Sequence, residues 1–504
     1  MPCMTTKRTT RRELLAQGAV GALALSGLAA ASGGILAACG SDAPEAARRR
    51  FSSPPTTEPV DTMADPWWLQ GNFSPVKVER TITELPVKGA LPAELTGLYV
   101  RNGSNPLAGT SPHWFLGDGM VHGLAIEEGK ASWYRNRYVN TAYLRAGGGL
   151  GKGAPGGDST LSNVSVIHHA GRTLSLGEVG MPIELSATDL STLGPVDFGG
   201  QLQGNYTAHP KVDPVSGDLH GFGYNFAEPY LVYHHLSADG KKLSSQTIDV
   251  PRSTMMHDFA ITESDVVFMD FPVAFDMDGA IKMISDPASG AVPFVWKPKL
   301  GARIGVMPLG GKASDVRWVE IDPCYVYHGV HARREGDEVV LDVCRMDAAF
   351  APAGTPSSLT RNRWRINTAG PQLRFTDERL DAPPADLPTV DPRFVGRAAK
   401  HSWLAEVHSQ PGEIAFTGCQ HVNGATGEVQ RWLPAGGRRC GEWLFVPTGK
   451  SEGEGYVMAF VYDPRRNASS LVVLEALNVK AGPVAEVPLP VRVPYGFHAS
   501  FISA

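Results

Sequence analysis

The chain has 504 residues, a formal net charge of −5 and 19% charged residues, a balance that lacks the basic excess nucleic-acid binding requires. Its length suits one large domain or two smaller ones. With 56 Gly and 39 Pro, turns should be frequent, which fits many short strands better than long helices.

Residues 1–39 read as an address rather than as part of the fold. Thr9-Thr10-Arg11-Arg12-Glu13-Leu14-Leu15 sets paired arginines ahead of an apolar run from Ala16 to Ala38, the pattern of a twin-arginine export signal. The run closes on Leu36-Ala37-Ala38-Cys39-Gly40, which resembles a lipobox with Cys39 as the acylated residue. An uncleaved membrane helix is the alternative, since the run is long enough to span. Its Ala and Gly content and its small-small-Cys ending favour the cleaved, lipidated form. The expected location is the cell envelope, with the chain lipid-anchored at Cys39. Residues 40–66 are rich in Ala, Pro, Ser, Thr and Arg and read as a disordered tether. The folded domain is then 67–504.

Leu95 to Arg101 predicts a strand, and Asn102-Gly103-Ser104-Asn105-Pro106 a turn cluster. Met120–Ile126 and Ala131–Tyr138, joined at Glu127-Glu128-Gly129, predict a hairpin. His113 and His122 lie in this region and read as structural. Gly147 to Gly157 reads as a mobile glycine-rich segment; a phosphate loop would need a Lys-Ser/Thr ending and a following helix. A second hairpin turns at Ala170-Gly171, with His168 and His169 just before the turn and expected to be exposed. Cys324, Cys344, Cys419 and Cys440 form no CxxC pair, which argues against a cysteine zinc site. Export would permit disulfides among them; Cys324 and Cys344 equally suit buried thiols in strands.

One unit recurs. Met255 to Asp270 reads as two strands around a turn at Glu263-Ser264-Asp265, with His257 at the head of the first. His209 precedes a turn at Asp213 to Asp218, and His328 precedes one at Glu335 to Asp337; His498 lies in the last apolar strand. The spacings between these histidines are 48, 71 and 170 residues. No helix and no finger motif can gather positions so far apart. A ring of β-units can, because each unit aims an inner strand at one axis. Four neutral imidazoles suit a borderline divalent metal such as Fe(II). No clean sequence period counts the units.

From Trp67 to Ala504 the chain resembles the carotenoid cleavage oxygenases, in the opening Trp67–Pro106 and in the four histidine segments. The resemblance implies an all-β, seven-bladed propeller with a loop and helical cap over the metal axis. It implies Fe(II) held by His209, His257, His328 and His498. Carboxylates that hold ligand rings from behind match Glu178, Asp386 and Glu442, with Asp386 one methylene shorter than the usual glutamate. Val164 falls where the family places a small side chain against an open iron position. His331, three residues past His328, should point to the opposite face of its strand. Ala499 stands for the usual glycine after His498. Tyr206, Phe271 and Phe497 suit either the walls of a substrate tunnel or plain core packing.

No 2-oxoglutarate-type triad is evident, so the electrons for dioxygen should come from an electron-rich alkene. The implied reaction is Fe(II)-dependent cleavage of a C=C bond of a carotenoid or apocarotenoid into two carbonyl products. Stilbenoid cleavage is the alternative within the superfamily, and isomerisation or apolar-ligand binding are more distant ones. In stilbene-cleaving members a lysine after an Arg-Tyr-Val-like strand holds the substrate phenol; here Arg137-Tyr138-Val139 is followed by neutral Asn140. The partners implied are an apolar substrate, dioxygen and, through Cys39, a membrane.

Overall fold

Tight hairpins build the molecule, and their turns fall where positive φ is tolerated. Glu128 and Gly129 have φ of 48° and 74°, and Ala170 and Gly171 have 50° and 75°, the two successive left-handed positions of a two-residue hairpin turn. In the computed structural model the described residues are 66–153, 156–352, 355, 357–410 and 413–503. The segments expected to be an export signal and a tether, with Cys39 between them, lie outside the described residues up to residue 65.

The strands form seven large sheets, each a blade of a propeller. Blade 1 spans residues 80–138, blade 2 spans 165–195, blade 3 spans 211–248 and blade 4 spans 260–321. Blade 5 covers 325–379, blade 6 covers 385–432 and blade 7 covers 444–488. The ring closes twice. Ala499–Ser503, from the end of the chain, pairs antiparallel with Gly97–Ser104 as the innermost strand of blade 1. Lys88–Gly89, from the start of the domain, pairs with Pro483–Pro488 as the outermost strand of blade 7. Closure in both directions ties the first blade to the last.

Burial follows radial position. Asp265–Asp270 in blade 4 is buried at every residue, whereas Leu243–Ile248, the outer strand of blade 3, buries Ile248 alone fully. Packing between blades is dominated by aromatic and aliphatic side chains. Trp364, Trp403 and Trp443 have no exposure, and the Trp403 and Phe445 rings stack at 4.2 Å across blades 6 and 7. Asp270, fully buried in blade 4, is answered by Arg303 Nε at 2.8 Å and the Thr254 hydroxyl at 2.7 Å, as a buried charge requires.

Blade 4 carries an insertion between its second and third strands. It is a ribbon of Val273–Phe275 and Phe294–Trp296 with the helix Met277–Ser285 between them. Asp276 caps that helix by accepting from Gly279 N. Phe294 packs on Phe350, which packs on Phe115, so the insertion joins an aromatic group beside the propeller axis. This insertion supplies the longest helix among the described residues. No helix among the described residues is long and apolar enough to cross a membrane.

Two strand boundaries differ from expectation. Gly97–Ser104 continues through Asn102, Gly103 and Ser104, which the sequence predicts as turn. Asn102 is fully buried, and its amide donates to Ser162 O, Ser165 O and the Ser175 hydroxyl, so its turn-forming side chain is satisfied inside a strand. In the Met255–Asp270 unit the first strand shrinks to Ala260–Ile261, and His257 stands ahead of it.

Candidate metal centre

Each blade sends one group to the axis. His209 lies just before the first strand of blade 3, Lys211–Val212. His257 lies before the first strand of blade 4, and His328 lies within the first strand of blade 5, Tyr325–Glu335. His498 immediately precedes the closing strand in blade 1. Blades 2, 6 and 7 supply Glu178, Asp386 and Glu442.

The four histidines converge, with one ring nitrogen of each within 4.8 Å of all the others. Nε2 of His209 and Nε2 of His257 are 2.9 Å apart, and Nε2 of His328 and Nε2 of His498 are 3.1 Å apart. The opposite ring nitrogens are held from behind. His257 Nδ1 meets Glu178 Oε2 at 2.8 Å, His328 Nδ1 meets Asp386 Oδ1 at 2.7 Å, and His498 Nδ1 meets Glu442 Oε1 at 2.7 Å. A carboxylate on Nδ1 keeps the proton there and leaves Nε2 as a bare lone pair. Bare lone pairs about 3 Å apart repel unless a cation joins them, and two donors at ~2.1 Å and right angles around a first-row cation stand about that far apart. The donor set therefore fits a non-haem Fe(II).

The carboxylates do more than orient rings. Glu178 Oε1 also accepts from the Tyr224 hydroxyl at 3.1 Å. Glu442 Oε2 accepts from Ala499 N at 2.6 Å, fixing the closing strand beside His498. Asp386 Oδ1 accepts from Leu387 N at 2.8 Å, and Leu387 takes a φ of 52°. The shorter aspartate thus reaches His328.

Charge states follow from burial and neighbours. Burial, followed by the other three histidines and Lys211, holds His209 well below the usual imidazole range. Burial also lowers His328, against the pull of Asp386. For His257 burial acts downward as well, but the Glu178 carboxylate, joined by Asp258 and Asp386, carries the net direction up.

The remaining candidates fall into place one by one. Val164 is buried, and its carbonyl accepts from His498 N at 3.1 Å, so it adjoins the cluster. Phe497 packs on Trp114 and Phe115, with ring centroids 4.7 Å and 5.8 Å away, in the aromatic wall beside the histidines. Phe271 and Tyr206 do not belong to that wall. Phe271 packs between Tyr325 and Trp364, and Tyr206 stacks on His234; both fill blade cores. His331 is outside the cluster, as expected, but not by simple alternation. Its strand breaks register on both sides of Gly329, and the His331 ring instead accepts from Ala399 N at 3.2 Å. His113 and His122 are structural: His113 accepts from Phe115 N, and His122 Nδ1 meets the Tyr134 hydroxyl at 2.9 Å. His168 is exposed, but His169 is not. Its Nε2 donates to Gly217 O at 3.0 Å, and that carbonyl comes from blade 3.

Gly149 N donates to Asp118 Oδ1 at 2.8 Å, so this glycine-rich backbone binds a carboxylate of its own chain rather than forming a phosphate cradle. The four described cysteines are buried free thiols, not disulfides. Asn140 is exposed; its N–H donates to the Thr192 hydroxyl and its carbonyl accepts from Arg145. Tyr327 was not singled out by the sequence. Its ring lies edge-on to His257 at 5.4 Å and to Phe115 at 5.8 Å. Its signal was adjacency to His328 in a strand whose bulges spoil the alternation.

The family model described as retinal pigment epithelial membrane protein matches residues 73–503. A carotenoid cleavage oxygenase of Mycobacterium tuberculosis is 35% identical over 498 residues, covering 86% of this chain and 97% of that protein. The carotenoid 9,10(9',10')-cleavage dioxygenase 1 of Arabidopsis thaliana is 34% identical, covering 86% and 90%. Among solved structures, a lignostilbene dioxygenase of Pseudomonas brassicacearum superposes with a TM-score of 0.79 at 28% identity, covering 88% of this chain and all of that one. The Synechocystis apocarotenoid oxygenase shares the fold, with a TM-score of 0.75 at 23% identity over 87% of this chain and 98% of that one.

Proposed function

The chain belongs to the carotenoid cleavage oxygenase family, and from that premise we propose that it is a non-haem Fe(II) dioxygenase cleaving a C=C double bond of a carotenoid or apocarotenoid. The observation that carries this reading is the convergence of four imidazoles with carboxylates behind three of them. When bound, Fe(II) would supply the activation of dioxygen beside the double bond. His209, His257, His328 and His498 would hold it. Glu178, Asp386 and Glu442 keep a proton on Nδ1 of their partner rings, so that Nε2 faces the cation. Tyr327 stands against the His257 ring, Phe115 packs on Tyr327 and Phe497 on Phe115, a group that would exclude water and receive an apolar chain. Both atoms of dioxygen end in the two new carbonyl groups as the C=C bond breaks. The alkene carbons supply the electrons, and no co-reductant is needed.

A stilbenoid is the second reading, favoured by the likeness to the lignostilbene dioxygenase. Against it, Asn140 can donate a hydrogen bond but carries no charge for a phenolate. Oxygen uptake measured in parallel on an apocarotenoid and a hydroxystilbene separates the two. Faster turnover of the polyene is expected; efficient stilbene cleavage without polyene cleavage would reverse the assignment.

The location belongs to the same proposal. Arg11, Arg12 and Cys39 support twin-arginine export and a lipid anchor in the cell envelope. An anchored enzyme would meet membrane-dissolved polyenes without their crossing water.

A further inference from the structure

We propose that Asp258, together with Lys211, is a fourth carboxylate clamp of the metal centre, a positioning residue that sets the spacing of three ligand-bearing segments. The proposal rests on the iron reading above. Asp258 is 2% exposed. Its Oδ1 accepts from Lys211 Nζ at 2.7 Å and from Phe259 N at 2.8 Å, and its Oδ2 accepts from Gly329 N at 3.0 Å. Asp258 directly follows His257, Gly329 directly follows His328, and Lys211 lies two residues past His209. One side chain thus joins blades 3, 4 and 5 within two residues of three of the four histidines.

The local structure of blade 5 makes this contact possible. Bulges on both sides of Gly329 leave Tyr327, His328 and Val330 without register partners, while Gly329 itself stays opposite Val343. The Gly329 N–H crosses to Asp258 in the neighbouring blade. Lys211 also lies over the Phe259 ring, 5.9 Å from its centroid, which holds its stem against blade 4. A buried ion pair is weak evidence for stability, because desolvation offsets the attraction. What this one supplies is geometry. Carboxylates hold the rings of His257, His328 and His498, whereas the His209 segment is tied to its neighbours through Lys211 and Asp258.

The test compares the wild type with Asp258→Asn, Lys211→Met and, as a control, Asp270→Asn, which breaks a buried ion pair of blade 4 away from the histidines. Fe(II) affinity is read by chelator competition, and melting is followed for the iron-free and iron-loaded forms. Asp258→Asn and Lys211→Met should each weaken Fe(II) binding by about 10–100-fold and narrow the gap between loaded and free melting temperatures. Asp270→Asn should lower both melting temperatures together and leave Fe(II) affinity unchanged. Wild-type affinity in both clamp variants, with parallel falls in melting, would overturn the clamp and leave the function standing. A wild-type chain that takes up no iron would overturn the function itself. Should Asp258→Asn fail to fold, Lys211→Met decides, since the Lys211 side chain is 23% exposed.

Discussion

An imidazole offers a metal one nitrogen only if something holds the other, and this governs what each residue of the centre does. The Nδ1 contacts of 2.7–2.8 Å to Glu178, Asp386 and Glu442 fix tautomer and ring direction together. His257→Ala and His498→Ala should each abolish iron binding, measured as metal per chain after reconstitution. Asp386→Ala should fold and weaken iron binding by about 10–100-fold; equal iron occupancy in all three would remove the ligand assignment. His209, His257 and His328 were legible in the sequence because each precedes a turn between strands, and His498 because it lies in the last apolar strand. Asp386 was legible only through family resemblance, since the sequence does not say that Leu387 adopts a positive φ and lets the short side chain reach. His169 was misread as exposed because its partner, Gly217 O, belongs to the next blade, and no local pattern reports a contact made across blades.

At the level of strands, propensity and turn chemistry located the hairpins at Glu128-Gly129 and Ala170-Gly171, where backbone conformation is decided by the turn residues themselves. Local reasoning failed at Asn102, a turn former by type. Its side chain donates to Ser162 O, just before blade 2, and to Ser165 O and the Ser175 hydroxyl within it, and accepts from Gly103 N, which satisfies it within a strand. At Tyr325–Glu335 the expected place of His331 outside the cluster holds, but bulges rather than a two-residue period put it there. Large buried aromatic side chains pack between blades. Trp403 stacks on Phe445 at an interplanar angle of 1° and donates its indole N–H to Ala476 O at 2.8 Å. Trp403→Ala should cost about 3–5 kcal/mol, read by denaturant unfolding of the iron-loaded protein. A loss below ~1 kcal/mol would show that the blades 6 and 7 interface relaxes around the cavity.

For the whole molecule, the ring is the device that brings histidines spaced 48, 71 and 170 residues apart to one point. All seven blades contribute to the centre, four through histidine and three through carboxylate, and closure by Ala499–Ser503 places the last ligand. That arrangement was readable in outline from the spacing of the histidines, while the second closure through Lys88–Gly89 was not, because a two-residue strand carries no periodicity. Location is a property of the whole chain too. Cys39→Ala should leave the exported protein without lipid, and replacing Arg11 and Arg12 by lysine should hold it in the cytoplasm. Cell fractionation reads both, and wild-type distribution of both variants would refute the address. The central claim is oxidative cleavage of a polyene double bond at the four-histidine iron centre. Its most direct test is mass analysis of products formed by the iron-loaded protein from carotenoids, apocarotenoids and stilbenes under isotopically labelled dioxygen. The account predicts a polyene cut into two carbonyl fragments that together contain every carbon of the substrate, each with one labelled oxygen atom. Recovery of the polyenes uncleaved, or merely isomerised, would contradict it.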